Sequence, residues 1–479
     1  MVATTPGIQE DLARIVGDAA VVTDFAELGV YEMDASDEAI TGIHHPSAVV
    51  LPATTAEVSE IVRYANQHNI PVVARGSGTG LAGGTITTRG GILIVLTRMD
   101  AIEELNTDDR YIIVQPGVVN VDVSEHLAPY GFSYAPDPSS QKACSIGGNI
   151  ANNSGGPHCL KYGVTSNHVL GVEMVLPDGE VTWIGGPAAE NPGLDLTGLV
   201  VGSEGTLGIV TKAMLKITPI PEATGVLLAA FASIPDASRA VSATISSGII
   251  PGALEMMDRV VISAVEAGSP AGYPPDAEAV LLVELDGVAE EVEDHQDKVA
   301  EILREYGALD VRVAQSKEEE ARLWWARKSA FGAMGRIARN YHLTDTVVPR
   351  SKLPQAMERV AEVATEYDLT IANVFHAGDG NLHPLILFDR SEPGIMDRVL
   401  GASKVLMDYC IELGGAVSGE HGIGIEKNDA LALMFNETDL EHMAKVKRAF
   451  DPDNLANPGK VFPSAFDPYR SKRADIDID

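Results

Sequence analysis

The sequence predicts an α+β protein with two domains. Its 479 residues, 45% of them hydrophobic, are too many for one ordinary core. Glycine-rich stretches are frequent in the first part, whereas strands alternate with amphipathic helices in the second. The Pro-containing stretch "TPIPEATG" (218–225) separates the two parts. We therefore predict a first domain over 1–220, a second with an antiparallel sheet over 221–425, and a helical segment over 426–479.

The composition excludes several classes of protein. The formal net charge is −33 and no basic stripe is visible, so nucleic acid is not expected as a partner. Residues 1–20 lack the basic and apolar regions of a signal peptide, and no apolar run reaches the roughly 20 residues of a membrane helix. Three cysteines without a CxxC pair argue against a disulfide framework or a cysteine-ligated cluster. We expect a cytoplasmic protein without a membrane span.

The first predicted elements are a strand, a helix and a second strand between residues 48 and 76. Thr54 and Glu57 have the spacing of a capping box, which marks the start of a helix. Four apolar residues that follow recur at i, i+3, i+4 and i+7, the period of one helical face. These residues are Val58, Ile61, Val62 and Ala65.

Later elements follow from the same kinds of pattern. The segments "GGILIVLT" and "YIIVQPGVV" predict two short buried strands. The segment "HVLGVEMVLPDGEVTWIG" predicts a β-hairpin that turns at Asp178-Gly179. In the second part, "ASKVLMDYCIELGG" predicts a helix that ends at Gly414, and "DLEHMAKVKRAF" predicts the last helix.

A glycine loop follows the second strand, in "PVVARGSGTGLAGGTITTRGG". Gly78, Gly80 and Gly83 satisfy G-x-G-x-x-G, but a Rossmann site also requires a helix that begins within the motif. The continuation "TITTRGGILIVL" is rich in β-branched residues and has no helical period, so we reject a Rossmann site. The loop is either a flexible turn or a backbone N–H cradle for a pyrophosphate.

Two further stretches combine glycines with amides and hydroxyls. They are "PDPSSQKACSIGGNIANNSGGPHCLKYGVTSNHV" (136–169) and "VGSEGTLGIV" (201–210). Three such loops in one domain would let a long, flat dinucleotide lie against the backbone. The combination therefore favours the cradle over the flexible turn.

These loops carry a resemblance to a known family. "RGSGTGLAGG", "SIGGNIANNSGG" and "GSEGTLGIV" resemble the FAD-binding domain of the vanillyl-alcohol oxidase / p-cresol methylhydroxylase flavoproteins. The resemblance to this family as a whole covers nearly the whole chain, from about residue 20 to 463. "HAGDGNLH" and "SGEHGIG" are similar to the D-2-hydroxyacid dehydrogenase branch, which includes D-lactate dehydrogenases, D-2-hydroxyglutarate dehydrogenases and the FAD subunit of glycolate oxidase. The resemblance implies a p-cresol methylhydroxylase-type FAD-binding domain of two α+β subdomains, followed by an α+β substrate (cap) domain.

The resemblance also implies how FAD is held. Some relatives attach FAD through a histidine of the first loop, but residues 75–84 contain none, so FAD should be noncovalent. The tail motif "NLANPGKVFP" resembles a segment that returns to the flavin domain, where Asn457 would touch the isoalloxazine edge. The expected FAD contacts are Arg75, Gly76, Ser77, Gly78, Thr79, Gly80, Pro138, Ser139, Gly147, Gly148, Asn149, Asn152, Ser154, Gly155, Tyr162, Gly163, Glu204, Gly205, Gly208, Ile209 and Asn457.

Two histidines bracket a turn in "VFHAGDGNLHPL". Asp379-Gly380 favours a two-residue hairpin turn, which would place His376 directly opposite His383. The Cβ atoms of directly opposed residues lie about 4.5–5.5 Å apart, so both imidazoles could bind one divalent metal. The alternative is a pair of ordinary core or exposed histidines.

"GGAVSGEHGIGIEK" contributes Glu420 and His421 in another glycine-flanked turn. Two histidines and a carboxylate with open positions make a catalytic type of metal site. The resemblance implies that His376, His383 and Glu420 are the metal ligands and that His421 is the catalytic base. The ligand set is compatible with Zn, Mn or Fe.

A substrate carboxylate also needs a cation. Arg327 follows a Trp-Trp pair in "EARLWWARKSAFGAMGR", as does an arginine that grips the substrate carboxylate in the resembling enzymes. Arg350, in "TVVPRSKLP", is a second candidate. Most helix arginines are instead solvated or in surface pairs.

The sequence therefore predicts FAD-dependent oxidation of a small D-2-hydroxy acid, D-lactate or glycolate, to the 2-oxo acid. The alternatives are a D-2-hydroxyglutarate dehydrogenase, an oxidase that uses O₂, an alkyl-transfer flavoenzyme without net redox, and an FAD-storing subunit without activity. We expect a homodimer whose electrons leave to a quinone, an electron-transfer protein or a partner subunit.

Overall fold

The structure is a computed structural model that describes residues 7–188 and 192–469. The chain divides into two compact units. Unit 1 comprises Met1–Gly155, Val164–Ile220 and Glu420–Asp479, and unit 2 comprises Gly156–Gly163 and Pro221–Gly419. A unit boundary thus lies at Ile220, close to the predicted one. Residues 156–163, predicted in the first domain, belong to unit 2, and residues 420–425, predicted in the second domain, belong to unit 1. Residues 1–6 and 470–479 lie outside the described residues.

The α-helices are, in chain order, α1 (Ile8–Val16), α2 (Phe25–Leu28), α3 (Glu38–Thr41), α4 (Thr55–Gln67), α5 (Asn120–Leu127), α6 (Ile146–Asn152), α7 (Cys159–Tyr162), α8 (Leu196–Val200), α9 (Ile234–Ser246), α10 (Arg259–Glu266), α11 (Ala289–Glu305), α12 (Lys317–Lys328), α13 (Ala330–Ala333), α14 (Leu353–Glu366), α15 (Ile395–Glu412), α16 (Leu431–Met434) and α17 (Glu437–Phe450).

The β-strands are β1 (Val21–Val22), β2 (Ala48–Val50), β3 (Val72–Arg75), β4 (Ile92–Val95), β5 (Ile102–Asn106), β6 (Tyr111–Val114), β7 (Phe132–Ser133), β8 (Val169–Val175), β9 (Val181–Gly185), β10 (Ile209–Lys216), β11 (Thr218–Pro219), β12 (Ala223–Phe231), β13 (Ala253–Asp258), β14 (Ala279–Gly287), β15 (Ala308–Val313), β16 (Asn340–Leu343), β17 (Thr346–Val347), β18 (Thr370–Phe375), β19 (Asn381–Leu382) and β20 (Pro384–Phe388).

Unit 1 begins with a small sheet of order β1-β2-β4-β3, in which β2, β4 and β3 are parallel. The predicted helix between β2 and β3 is α4, and its apolar stripe is buried against this sheet. Thr54 caps it by accepting a hydrogen bond from the Glu57 N–H. The Glu57 carboxylate reaches back to the N–H of Ala53, one residue before the cap, so the predicted capping box closes one residue early.

A second sheet of unit 1 has the order β5-β6-β10-β8-β9 and is antiparallel throughout. The predicted hairpin is formed by β8 and β9, with Asp178-Gly179 in its turn, and Gly179 adopts a positive φ of 85°. The tail of the chain adds to the first sheet, because the N–H of Val72 donates to Leu455 and the N–H of Asn457 donates to Val72. Residues from both ends of the sequence therefore build unit 1.

Unit 2 is organised around an antiparallel sheet of order β15-β12-β14-β13-β18-β20-β16, which confirms the predicted antiparallel sheet. Alternate residues of its strands enter two separate cores. One core packs against α9, α11 and α14, and the other against α10, α12 and α13. The second core matters for function, because charged side chains lie within it.

The described part of the chain includes no helix that is both long and apolar enough to cross a membrane. Even α15, with 18 residues, carries charged side chains along its length.

Candidate active site

In unit 1 the glycine stretches lie against one another. A Cβ on Gly76 would collide with the Ser145 hydroxyl, and a Cβ on Gly80 would lie 3.6 Å from Nδ2 of Asn152. The first stretch therefore packs directly against the second, because its glycines have no side chains to separate the two. Between β3 and β4 no helix is formed, as predicted from the β-branched continuation.

The backbone of the first loop offers donors to a ligand. Throughout the described ranges, the N–H groups of residues 76–80 donate no hydrogen bond to another group of the protein. Ser77 is exposed, and Thr79 and Gly80 are half-buried. Successive N–H donors on a glycine-rich turn fit the pyrophosphate of a dinucleotide. The geometry of this loop is therefore compatible with the pyrophosphate of FAD.

The side chain of Arg75 packs inside the first glycine loop. Its guanidinium donates to the carbonyl of Met33 at 2.7 Å and lies where a side chain on Gly78 would stand. Burial lowers the pKa of Arg75, while the nearby Asp34 and Tyr31 oppose the decrease. The loop thus wraps around an arginine that is already committed to protein groups.

The second stretch is partly helical, which the sequence did not predict. Ser145 caps α6 by accepting from the Gly148 N–H, and Gly147 packs against Pro116 so closely that a Cβ would lie 2.7 Å from the proline ring. Asn149 was expected to contact FAD through the loop. Its buried amide instead accepts from Asn120 at 3.0 Å, so its side chain holds the loop together.

The third stretch contributes Glu204, a buried residue with a positive φ of 53°. Its carboxylate accepts hydrogen bonds from the N–H of Ile423 at 2.6 Å and of Gly424 at 2.8 Å. Burial raises the pKa of the Glu204 carboxyl, while these N–H donors and the charges of Lys460 and Lys427 oppose the rise. The carboxylate therefore faces the turn that contains "EHGIG".

Asn457 connects the tail to the first and third stretches. Its Nδ2 donates to the carbonyls of Gly84 at 2.9 Å and Glu204 at 2.6 Å, and its Oδ1 accepts from Lys460 at 3.2 Å. Burial lowers the pKa of Lys460 to about 8. The predicted return of the tail places Asn457 at the junction of two glycine stretches, although its amide is occupied by protein carbonyls.

The other expected FAD contacts differ in their exposure to solvent. Ser139 is exposed, whereas Pro138, Gly155, Gly208 and Ile209 are buried and Ser154 and Gly205 are half-buried. Tyr162 and Gly163 belong to unit 2, where the Tyr162 hydroxyl donates to Asp286. The hydroxyl of Tyr162 is thus already paired within that unit.

In unit 2, His376 and His383 lie close together, with ring centroids 5.2 Å apart and nearly perpendicular planes. Their predicted register is wrong. His376 pairs with Asn381, and the β18–β20 register continues to place His383 opposite Val374. The histidines are diagonal neighbours on one face rather than directly opposed residues.

The difference arises in the turn. Residues 377–380 form a four-residue loop, in place of the expected two-residue turn. Gly378 donates its N–H to Leu254, and Gly380 accepts from the N–H of Val348. Asp379 accepts from the Asn381 N–H through its side chain. Hydrogen bonds to neighbouring segments thus outweigh the local preference of Asp-Gly.

A buried carboxylate that the sequence analysis missed orients His376. Glu255 of β13 is fully buried and accepts from Nδ1 of His376 at 2.8 Å and from Nε of Arg327 at 2.9 Å. Burial alone would raise the pKa of Glu255, but His376 and Arg327 outweigh it and hold the pKa below its usual range. Because Nδ1 donates to Glu255, a metal would be bound through Nε2 of His376, the arrangement common to histidine ligands.

A second missed carboxylate, Asp345, stands beside His383. It is fully buried, 3.9 Å from Nδ1 of His383, and accepts from the Ser418 hydroxyl at 2.6 Å and the Gly419 N–H at 3.1 Å. Glu255 interrupts an apolar strand in "GALEMMDRVV", and Asp345 lies between two short strands in "HLTDTVVP". An acidic residue inside an apolar run must be paired when buried, which is the signal that could have revealed them.

The two candidate arginines differ in environment. Arg327 is 2% exposed and paired with Glu255. Arg350 is exposed and lies at the start of the segment before α14, where its carbonyl accepts from Ser242. Glu420 and His421, the other predicted site residues, belong to unit 1.

Comparisons with known proteins agree with this architecture. A family model described as "FAD linked oxidases, C-terminal domain" matches residues 220–461, and one described as "FAD binding domain" matches residues 46–185. The chain is 48% identical over 419 residues to the glycolate oxidase subunit GlcD of Escherichia coli K12, which covers 88% of this chain and 84% of that protein. It is 33% identical over 471 residues to a D-lactate dehydrogenase of Anaerostipes hadrus, with 95% and 97% covered.

Solved structures show the same fold. The structure of p-cresol methylhydroxylase with substrate bound superposes with a TM-score of 0.80 at 20% identity, covering 97% of this chain and 99% of that one. The predicted p-cresol methylhydroxylase-type architecture is therefore confirmed. Since the FAD-linked oxidase model spans more than half of the sequence, the chain belongs to the FAD-linked oxidases and is a flavin-dependent oxidoreductase.

Proposed function

We propose that this flavoenzyme oxidises a small D-2-hydroxy acid, D-lactate or glycolate, to the corresponding 2-oxo acid. Two similar proteins support the substrate class, because one is named a glycolate oxidase subunit and the other a D-lactate dehydrogenase. The observation that carries the proposal is the buried chain Arg327–Glu255–His376 with His383 beside it. Such an oriented pair of imidazoles has the chemistry of a divalent metal site.

In this proposal His376 and His383 hold the metal, with Zn, Mn or Fe as candidates. Bound there, a divalent metal would polarise the substrate hydroxyl and lower the energy of the developing alkoxide. Glu255 fixes the tautomer and the ring orientation of His376, and Arg327 balances the charge of Glu255. The grip of Arg327 on the substrate carboxylate remains part of the proposal.

The remaining ligand and the base come from the turn after Gly419. Gly419 is held by Asp345, and Glu420 follows it directly in the chain, so the sequence itself delivers a carboxylate next to an anchored residue. We assign Glu420 as third ligand. His421 takes the proton from the substrate hydroxyl, because an imidazole is the side chain that most often serves as a general base.

FAD, held noncovalently, would accept the hydride from the substrate Cα. The chain's own residues would position the cofactor: the N–H groups of residues 76–80 would donate to the pyrophosphate, and Asn457 of the tail links the first and third stretches. Reoxidation would occur at a quinone, an electron-transfer protein or a partner subunit, and we propose a homodimeric, cytoplasmic enzyme.

The test is a panel of D- and L-2-hydroxy acids added anaerobically to the purified flavoprotein, with flavin absorbance as the readout. D-lactate or glycolate should bleach the flavin, and a chelator should slow the bleaching. Faster bleaching by D-2-hydroxyglutarate would move the assignment to that substrate. Rapid reoxidation by O₂ compared with a quinone dye would identify an oxidase, and a flavin that no hydroxy acid bleaches would contradict the proposal.

Site variants sharpen this test. His376→Asn and His383→Asn should lose both the metal and the bleaching, measured by elemental analysis and by stopped-flow absorbance. His342→Asn is the matched control, because His342 is another buried histidine of unit 2 whose ring contacts Ser403 at 3.0 Å. If the histidine-pair variants kept metal content and bleaching like the control, the metal assignment would be wrong.

A further inference from the structure

We infer that Glu204 is a positioning residue: its carboxylate holds the turn that carries His421. The inference deepens the proposed function, because it takes His421 as the base. All the contacts involved lie within unit 1.

The carboxylate of Glu204 accepts two hydrogen bonds from adjacent residues of the turn. The Ile423 N–H lies 2.6 Å from Oε1, and the Gly424 N–H lies 2.8 Å from Oε2. Using both oxygens fixes the rotation of the turn as well as its position.

A second anchor acts on the other side of the turn. Nδ2 of Asn152 donates to the carbonyl of His421 at 3.3 Å. Between these anchors stands Gly422, with a positive φ of 87°, where a Cβ would lie 3.0 Å from Oε1 of Glu204. The backbone of residues 421–424 is thus held from the second and third glycine stretches together.

Glu204 is itself held rigidly, which a positioning residue requires. Its N–H donates to Ala151 at 2.9 Å and its carbonyl accepts from Asn457 at 2.6 Å. These bonds maintain its positive φ, a conformation that is strained for a residue other than glycine. Burial raises the pKa of the Glu204 carboxyl, and the N–H groups of Ile423 and Gly424 and the charges of Lys460 and Lys427 oppose the rise.

The consequence concerns the imidazole of His421. Its backbone lies two and three residues before the N–H groups that Glu204 binds. A displacement of about 1 Å in a group that transfers a proton costs roughly 100-fold in rate. Loss of the Glu204 carboxylate should therefore slow flavin reduction while FAD stays bound.

The experiment compares Glu204→Gln with Glu57→Gln in the holoenzyme. Glu57 is the matched control, because its carboxylate also accepts from a backbone N–H of unit 1, that of Ala53. FAD content, amide hydrogen exchange across residues 420–427, and the rate of flavin reduction at saturating substrate are measured. For Glu204→Gln we expect retained FAD, faster exchange at Ile423 and Gly424, and reduction slowed roughly 100-fold. The control should match the wild type in all three.

A double variant separates positioning from general destabilisation. If Glu204 acts through His421, then Glu204→Gln/His421→Ala should reduce flavin no more slowly than His421→Ala alone. The inference would be overturned if the double variant reduced flavin more slowly than His421→Ala, with the two losses multiplied. It would also be overturned if Glu204→Gln reduced flavin at the wild-type rate, or if it lost FAD in proportion to its loss of activity. If Glu204→Gln does not fold, Asn152→Ala tests the same turn through its other anchor, with the same double-variant criterion.

Failure of the proposed function has a different signature. If His421→Ala alone reduced the flavin at the wild-type rate, His421 would not be the base, and the proposed mechanism would fall. Hydrogen exchange at Ile423 and Gly424 would still report whether Glu204 holds the turn.

Discussion

The glycine stretches of unit 1 are held by close backbone packing, whereas the histidine pair of unit 2 is held by buried charged side chains. In unit 1, glycines such as Gly76 and Gly147 let segments approach to the distance of a missing Cβ. In unit 2, Arg327, Glu255 and His376 form a chain of charged and polar groups inside an apolar core.

The difference shows two ways to fix a functional geometry. Backbone packing tolerates changes of charge but not of volume, because added atoms have no space. A buried ionic chain tolerates little change of charge, since removing one partner leaves the other uncompensated in a medium of low dielectric constant. The comparison therefore predicts opposite sensitivities for the packing of the glycine stretches in unit 1 and for the ionic chain in unit 2.

The largest expected effect is in the ionic chain. Glu255→Gln leaves the guanidinium of Arg327 buried without its counter-charge, which should lower the free energy of unfolding by about 3–5 kcal/mol. Urea denaturation measures the loss, and elemental analysis should show reduced metal content because His376 loses its orienting acceptor.

The matched control for this change is Glu278→Gln. Glu278 pairs with Arg259 at 2.7 Å, but both side chains are about half exposed, at 45% and 50%. Exposed pairs contribute less than about 1 kcal/mol. Equal losses in Glu255→Gln and Glu278→Gln would show that burial does not set the sensitivity of unit 2.

A smaller effect should appear with pH at Asp258, which is buried in unit 2. Burial raises its pKa to about 6, although N–H groups of Val261 and Asn373 oppose the rise. A raised pKa means that the folded state binds the proton more tightly, so the stabilisation is present below about pH 4 and is lost as pH rises through 6. The shift corresponds to roughly 3 kcal/mol at most.

The measurement is the free energy of unfolding of the wild type and of Asp258→Asn between pH 4 and 7. The wild type should gain on the variant as pH falls, opposite to the usual loss of stability in acid. A difference that stays constant with pH would contradict the raised pKa.

The smallest expected effect tests the packing of unit 1. Gly147→Ala places a methyl group 2.7 Å from the ring of Pro116, and overpacking of this kind costs about 1–3 kcal/mol. FAD content after dialysis and thermal unfolding should both decrease. Gly186→Ala is the control, because a Cβ there meets no atom within 4 Å. Equal behaviour of the two variants would mean that close approach does not hold the glycine stretches.

Much of unit 1 could be predicted from the sequence, because its signals are local. The stripe of α4, the Asp178-Gly179 turn and the lack of a helix after the first glycine loop all follow from neighbouring residues. The helix α6 escaped prediction because its glycines and asparagines are poor helix formers. Close packing on Pro116 and the Ser145 cap compensate for that weakness.

The site of unit 2 was predicted only in part. His376 and His383 do share a face, but their register depends on the bonds of Gly378 and Gly380 to segments distant in sequence. Glu255 precedes His376 by more than a hundred residues, so no spacing pattern connects them. The sheet brings these distant charged residues together. In the sequence, the one sign of this pairing is an acidic residue within an apolar strand.

The pairing of Val72 with Leu455 has a consequence for the order in which the protein is made. The chain enters unit 2 at Gly156, leaves it at Gly163, enters again at Pro221 and leaves at Gly419. About 380 residues must be synthesised after Val72 before Leu455 emerges, which takes roughly 20–80 s at ribosomal speeds. During that time the β3 edge is open to other strands. Unit 1, the first to begin, is the last to be completed, and a chaperone that shields this edge would act while unit 2 is being translated.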